Sequence, residues 1–439
     1  MAASLDARRR PATCRRDIEG SYSYRSTKLT RDAVVIVGAN LAGARAAESL
    51  RTHGFEGSIA LIGAEPWLPY ERPPLSKEQL YEPGREPSRL LLHNERFYAD
   101  HHIDLMLGTR VTRLDPSRDA VEIQGGRRLR ANQVILCTGG RARRLAVDGA
   151  DLDGVFCLRT LSDALALAPR MVLGARVVVV GMGVIGGEVA SSALRRGCVV
   201  VGIEPAPLPF LRVLGEHYGR WLAEQHRASG VRLLVETSVM RIVGERGSVR
   251  GVETSDGKRI PADVVVVGIG MDPAVELAVD AGLAVHNGVL VDRECRTSCP
   301  DVWCVGDASS APDFIDPTRR VRVETFQNAQ LQGDAAAASL VGKAIPDPRP
   351  TWFWTDQLGL NIQVCGAIVE PAIQILRGDE HAASFCVFFV RGGIVQGVLT
   401  VNRPGDMAIG RRIVERRFPA VAALGDESVP LRTLLATPR

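Results

Sequence analysis

No apolar run in this 439-residue chain approaches the roughly 18 residues that a membrane span requires. Its nine cysteines contain no CxxC pair and no zinc-type spacing. Cys295, Cys299 and Cys304 come nearest to a cluster, but their intervals match no metal site, so they read as ordinary buried or loop cysteines. A free-thiol complement of this kind suits a reducing, cytoplasmic location. The net charge of +4 is small and scattered, and no stripe of arginine is interleaved with aromatics. Nucleic acid is thereby excluded as an expected partner. Low-complexity tracts are absent, which excludes a fibrous or largely disordered chain.

What remains is the composition of a globular protein too long for one core, so two or three domains are expected. The first 31 residues stand apart: they are arginine-rich and show no periodicity. Asp6, Asp17 and Glu19 and the missing amphipathic face count against a transit peptide. This stretch reads as a disordered tail or an over-extended start and is left out of the fold.

Residues 33–43, "AVVIVGANLAG", and 177–186, "VVVVGMGVIG", are two versions of one pattern. Each is a run of β-formers that breaks into glycines and continues as a helix. The first unit is expected as a strand Ala33–Val37, a helix Ala42–His53 and a strand Ser58–Gly63. The second is expected as a strand Arg176–Val180, a helix Gly187–Arg196 and a strand Val199–Ile203. Further buried strands are expected at Val134–Cys137, Val231–Val235, Val264–Val267 and Val302–Val305. From about Thr351 the pattern changes to short alternating strands, with a hairpin at Gly392-Gly393 and a closing helix Met407–Phe418.

A glycine turn after a buried strand aims backbone N–H groups and a helix N-terminus at an anionic pyrophosphate. Gly181, Gly183 and Gly186 satisfy GxGxxG, with a strand before and a helix after. In the first copy Asn40 stands at the second glycine position, between Gly38 and Gly43. Asparagine tolerates left-handed backbone, so the turn survives with the pyrophosphate slightly farther off. Glu65 and Glu204 close the second strand of their units, where a carboxylate accepts from an adenosine ribose diol. It would also repel a 2′-phosphate, and no arginine follows Glu204 until Arg212, so the second site reads as NADH.

"PYERPPLSK", "VWCVGDAS", "FWTDQLGLNIQVCG" and "VNRPGD" make the chain, from about residue 32 onward, resemble the FAD-dependent NADH:ferredoxin reductases, the putidaredoxin reductase and biphenyl dioxygenase reductase type. The resemblance implies an α/β fold of the glutathione-reductase-like flavoprotein kind: two Rossmann-like dinucleotide-binding domains plus a C-terminal α+β domain. The FAD domain would comprise 32–144 and 263–345, the NADH domain 145–262 and the last domain 346–439. It implies that Gly38, Asn40, Gly43 and Glu65 hold FAD, together with Arg72, Thr138, Gly139, Arg141, Asp307, Glu324 and Phe326. Gly181, Gly183, Gly186, Glu188 and Glu204 would hold NADH. Lys77 matches the lysine beside the flavin ring and Glu188 the glutamate facing it, and these two are the catalytic candidates. Read without the resemblance, Lys77 would be a solvated loop lysine, Glu188 a helix-dipole partner and Asp307 a helix cap.

Disulfide reductases of this fold carry redox cysteines after the first cradle, whereas here no cysteine lies between Cys14 and Cys137. The resemblance therefore implies hydride entry from NADH and exit of single electrons to a two-iron ferredoxin that serves a monooxygenase or dioxygenase. Alternatives are an NADH oxidase, a rubredoxin or quinone reductase, or a redox-sensing flavoprotein resembling apoptosis-inducing factor; the compact loops and short last domain count against the last of these. The family's Glu-His-Trp is Glu324-Thr325-Phe326 here, and Leu358 replaces the usual aromatic after Asp-Gln, so the side chains expected along the exit route differ from the family's. Arg319, Arg320 and Arg322, with Arg403, Arg411 and Arg412, are candidate docking positions for an acidic carrier.

Overall fold

The computed structural model describes residues 32–82, 84–368 and 373–435, besides an isolated backbone pairing of Arg15–Arg16 with Tyr22–Ser23. The remainder of the N-terminal extension lies outside the described residues. In chain order the elements that matter are β1 (Ala33–Val37), α1 (Leu41–Thr52), β2 (Ser58–Ile62), β3 (Ile103–Met106), β4 (Gln133–Leu136) and β5 (Val155–Cys157). Then come β6 (Arg176–Val180), α2 (Val184–Arg195), β7 (Val199–Ile203), α3 (Leu211–Ala228), β8 (Arg232–Leu234), β9 (Val264–Val267), β10 (Val302–Cys304) and α4 (Phe326–Leu340). Last are β11 (Trp352–Gln357), β12 (Leu360–Gly366), β13 (Ile373–Asp379), β14 (Ser384–Arg391), β15 (Ile394–Val401) and α5 (Pro404–Glu415).

The chain divides into two compact units. The first comprises 1–71, 91–139 and 273–347. Its centre is a five-stranded parallel sheet in the order β10-β4-β1-β2-β3. All five residues of β1 are buried, as a strand covered on both faces must be. On one face α1 and α4 pack together so closely that a side chain at Gly333 would lie 2.9 Å from the Ala42 carbonyl oxygen.

The second unit comprises 72–90, 140–272 and 348–439. Its parallel sheet runs β5-β9-β6-β7-β8 and repeats the strand order of the first. One position differs in origin: the strand beside β4 in the first sheet, β10, comes late in the chain, whereas its counterpart β5 comes first. The same unit holds an antiparallel sheet, β11-β12-β15-β14-β13. Helix α3 joins the two sheets, because Tyr218 and Leu222 pack with Phe385, Val387 and Phe389 in one cluster. Phe385 lies between Tyr218 and Trp221, with ring centroids at 5.6 and 5.4 Å.

The strands β1, β6, β7 and β9 fall where the apolar runs put them. Helix α2 starts three residues early, at Val184, because the glycine turn itself forms the entry and Gly183 is the N-cap. Helix α5 likewise starts at Pro404, a residue whose fixed φ suits the first helical position. Gly392 and Gly393 make the expected hairpin, both with positive φ. At the β11–β12 hairpin the left-handed pair is Leu358 and Gly359, so a branched side chain sits where glycine or asparagine is favoured.

Phe385→Ala should cost about 3–5 kcal/mol, because a fully buried ring shared by α3 and the antiparallel sheet leaves a cavity no neighbour can fill. Urea unfolding monitored by tryptophan fluorescence measures the loss.

Candidate functional site

In the first unit the chain leaves β1 at Gly38, with φ of 120°, and any Cβ there would lie 2.1 Å from the Cys137 carbonyl oxygen at the end of β4. Gly43, one turn into α1, is required equally: its Cβ would lie 2.0 Å from the Gly38 carbonyl oxygen. Asn40 is not left-handed as expected. Its backbone is extended (φ −119°, ψ −168°), and its side chain caps α1 by accepting from the Gly43 N–H at 3.2 Å. The same amide donates to the Cys137 carbonyl at 2.6 Å. Asparagine is thus tolerated at a glycine position because it braces the turn from both sides.

The second cradle repeats the logic. A Cβ on Gly181 would meet the Gly268 carbonyl oxygen at 2.5 Å and one on Gly186 would meet the Gly181 carbonyl oxygen at 1.9 Å. Gly183 is different: nothing lies within 4 Å of where its Cβ would stand. No protein contact demands glycine there, and space in front of a helix N-terminus is what a close-approaching anion uses. Glu204, at the exit of β7, accepts from the Met182 N–H at 2.8 Å and the Ala206 N–H at 3.0 Å. The acid of the second strand is thereby tied to the glycine turn. In the first unit Glu65 accepts instead from the Tyr70 hydroxyl, at 2.6 Å.

Of the remaining first-unit candidates, Thr138 and Gly139 follow the end of β4 and Asp307 that of β10, while Glu324 and Phe326 lie at the entry to α4. The Thr138 hydroxyl donates to the Ala274 carbonyl at 2.6 Å, and Gly139 has φ of 62°. Asp307 lies inside a short 3-10 turn, Gly306–Ala308, whose N-cap is Val305, so it is not the helix cap that sequence allowed. Glu324 pairs with Arg322, and Phe326 opens α4 behind the Thr325 cap. In the second unit Arg72 donates to the Arg159 carbonyl at 2.7 Å, and Arg141 is exposed.

The densest chemistry among the described residues lies inside the second unit. Pro73–Ser76 forms a 3-10 turn, and the segment is pinned to α2 by Ser192, whose hydroxyl donates to the Ser76 carbonyl at 2.7 Å. Arg196 holds the Leu80 carbonyl at 2.8 Å. Lys77 is therefore no solvated loop lysine: its side chain is 9% exposed, and its ammonium lies 3.2 Å from Glu188 Oε1 and 3.5 Å from Asp356 Oδ2. Glu188 is the fifth residue of α2 rather than part of its first turn, so the dipole does not account for it. Its carboxylate is 2% exposed and accepts from the Ser76 hydroxyl, the Thr355 hydroxyl (2.8 Å) and the Asp356 N–H (3.3 Å). Burial pushes the Glu188 carboxyl above its ordinary range, opposed by Lys77 and these donors. The Trp354 ring completes the group, 5.8 Å from the Lys77 ammonium.

Sequence reading found Lys77 and Glu188 but missed Ser76, Thr355, Asp356 and Trp354. The signal existed, since all four lie inside quoted motifs, but nothing local says that β11 returns to α2. Of the docking arginines, Arg320 donates to the Val291 and Ser310 carbonyls, Arg322 to Glu324, and Arg403 to Asp406 and Glu427. Arg411 stacks over Trp352 at 4.4 Å. No group of three or more metal-ligating side chains, and no helix long and apolar enough to cross a membrane, occurs among the described residues.

Residues 32–333 match the family described as pyridine nucleotide-disulphide oxidoreductase, and residues 352–435 match the family described as reductase C-terminal. The chain is 40% identical over 404 residues to a ferredoxin–NAD(P)(+) reductase of Sphingomonas sp, covering 92% of this chain and 97% of that one. It is also 40% identical over 372 residues to a rubredoxin–NAD(+) reductase of Pseudomonas putida, covering 85% and 96%. The fold is similar to that in the crystal structure of the covalent putidaredoxin reductase–putidaredoxin complex. There the TM-score is 0.89 and the identity 36%, with coverage of 93% of this chain and 99% of that one.

Two outcomes follow from the geometry. Gly183→Ala should leave the melting temperature nearly unchanged, whereas Gly186→Ala should cost about 1–3 kcal/mol, measured by thermal unfolding of the two variants. Lys77→Met leaves Glu188 buried without its cation and pushes its carboxyl still higher. The loss should then be about 3 kcal/mol near pH 8 and shrink toward pH 5 as Glu188 takes up a proton, seen in melting curves across that range.

Proposed function

Because the chain belongs to the pyridine nucleotide-disulphide oxidoreductase family, we propose that it is an NADH-dependent ferredoxin reductase. It takes hydride from NADH and passes single electrons to a small two-iron ferredoxin serving a monooxygenase or dioxygenase. The observation that carries this is the pairing of two glycine cradles with one buried lysine–carboxylate pair and no cysteine from Asp32 to Leu136 that could form a thiol relay.

The first cradle fits FAD. Gly38 and Gly43 let the tight turn form ahead of the α1 N-terminus, whose first-turn N–H groups have no partner within the helix. Asn40, Glu65, Thr138, Gly139, Asp307, Glu324 and Phe326 contribute from the same unit. The second cradle fits NADH through Gly181, Gly183, Gly186 and Glu204. In functional terms the FAD domain is 32–71 with 91–139 and 273–347, the NADH domain runs past the expected end at 262 to take in β9, which pairs with β6 in its sheet, and 348–439 is the C-terminal α+β domain. FAD, when bound, supplies the conversion of a two-electron donor into one-electron steps. The chain's own part is electrostatic: Lys77 offers a fixed positive charge and Glu188 a fixed negative one in a site shielded from water. A cytoplasmic setting agrees with the eight described cysteines, all free.

A second reading, rubredoxin as acceptor, is favoured by the similarity to a rubredoxin reductase. The test is anaerobic. The purified protein should be yellow, bleach with NADH, and reduce an acidic [2Fe–2S] ferredoxin faster than rubredoxin. The reverse order would exchange the acceptors, and a colourless protein that refuses FAD while folded would sink both readings.

Glu204→Gln should raise the KM for NADH about tenfold and erode the preference over NADPH by a similar factor, because a negative charge facing the ribose is lost. Steady-state dye reduction with each nucleotide measures both.

A further inference from the structure

Behind Glu188 lies a line of buried polar side chains to which nothing above assigns a role. Thr355, fully buried, donates its hydroxyl proton to Glu188 Oε1 at 2.8 Å. The Gln357 amide nitrogen donates to the Thr355 hydroxyl oxygen at 3.2 Å. Gln357 Oε1 lies 2.8 Å from His226 Nε2, and His226, on α3, is fully buried too. Gly187 makes the room: a Cβ there would lie 2.3 Å from Gln357 Oε1. All these residues belong to the second unit.

The direction of the line is fixed by donor and acceptor chemistry. A carbonyl facing His226 means that Nε2 carries the proton, leaving Nδ1 buried and without a hydrogen-bond partner among the described residues. The Gln357 amide then presents N–H to Thr355, so the single Thr355 proton is left for Glu188. With the amide turned over, its carbonyl would compete for that proton. Burial pushes His226 down to about 4, so it serves as a neutral donor at ordinary pH.

We propose that His226, Gln357 and Thr355 are positioning residues forming a one-way hydrogen-bond relay that ends on Glu188 and keeps this buried carboxylate charged opposite Lys77. The charged groups around Glu188 are Lys77 from the 3-10 turn side and Asp356 from β11, with His226 reaching it only through Gln357. The inference rests on the functional reading above for its effect on turnover, but not for its effect on stability.

The test uses the flavin-loaded full chain. Thr355→Val removes the hydroxyl at constant shape, Thr355→Ser restores it, and His226→Leu removes the far end of the relay. Each is made alone and with Glu188→Gln, and the melting temperature is followed from pH 5 to pH 8. Burial already raises Glu188, and a lost donor raises it further, so the folded state loses stability as pH rises through that window. His226 stays neutral in the folded state there but takes up a proton on unfolding at the acid end, so His226→Leu carries a widening of its own that does not depend on Glu188. The deficit of Thr355→Val should widen by about 2–4 °C between the two ends. His226→Leu should widen more with Glu188 present than in the Glu188→Gln background, and that difference is the relay's share. Thr355→Ser should follow the wild type, and Glu188→Gln should abolish the widening of Thr355→Val. A Thr355→Val deficit that is flat with pH or that persists with Glu188→Gln, or a His226→Leu widening that is the same with and without Glu188→Gln, overturns the relay. The acid limb of kcat/KM for NADH, read with a dye acceptor, should move up in Thr355→Val by up to about one pH unit, a tenfold change in proton affinity. A wild type that does not oxidise NADH would sink the functional reading, whereas the melting series would still decide the relay.

Discussion

A carboxylate with 2% of its side chain exposed must be supplied with partners or give up its charge. Glu188 is that group, and much of the second unit is arranged around it. The 3-10 turn brings Ser76 and Lys77, and β11 returns with Thr355 and Asp356. Ser192 and Arg196 on and just beyond α2 fasten the turn in place. Substituting a neighbour therefore disturbs a charge as well as a contact. This also explains why 72–90 belongs to the second unit while the sequence on either side of it belongs to the first.

The two cradles show which parts of a glycine turn the backbone demands and which it leaves open. In both, the first and third positions are closed to any side chain by carbonyl oxygens 1.9 to 2.5 Å from the missing Cβ. The middle position is free of such contact at Gly183, and in the first copy it carries an asparagine. Divergence between the copies has thus occurred where the fold permits it.

How much of this could be read beforehand depended on the range of the interaction. The parallel strands were legible because runs such as Val177–Val180 are buried on both faces and read as continuous apolar stretches. Gly38, Gly43, Gly181 and Gly186 were legible because a tight strand–helix turn is local. The Asn40 conformation was misread, since its hydrogen bond runs to Cys137, 97 positions away. A helix expected from Gly187 puts Glu188 in its first turn, whereas the helix begins at Val184 because the glycine turn itself forms its entry. Thr355 and His226 were invisible as partners, because only the packing of α3 and β11 around α2 puts Gln357 between them.

The bracing of Asn40 has a kinetic consequence. A turn whose cap is bonded both to its own helix and to the end of a neighbouring strand has little freedom left to lose when a ligand arrives. Such a pocket favours a long-stay occupant with a slow dissociation rate. At Gly183 no side chain caps the helix, and the turn is tied instead through Glu204 at the end of β7, an arrangement that suits a ligand exchanged more readily.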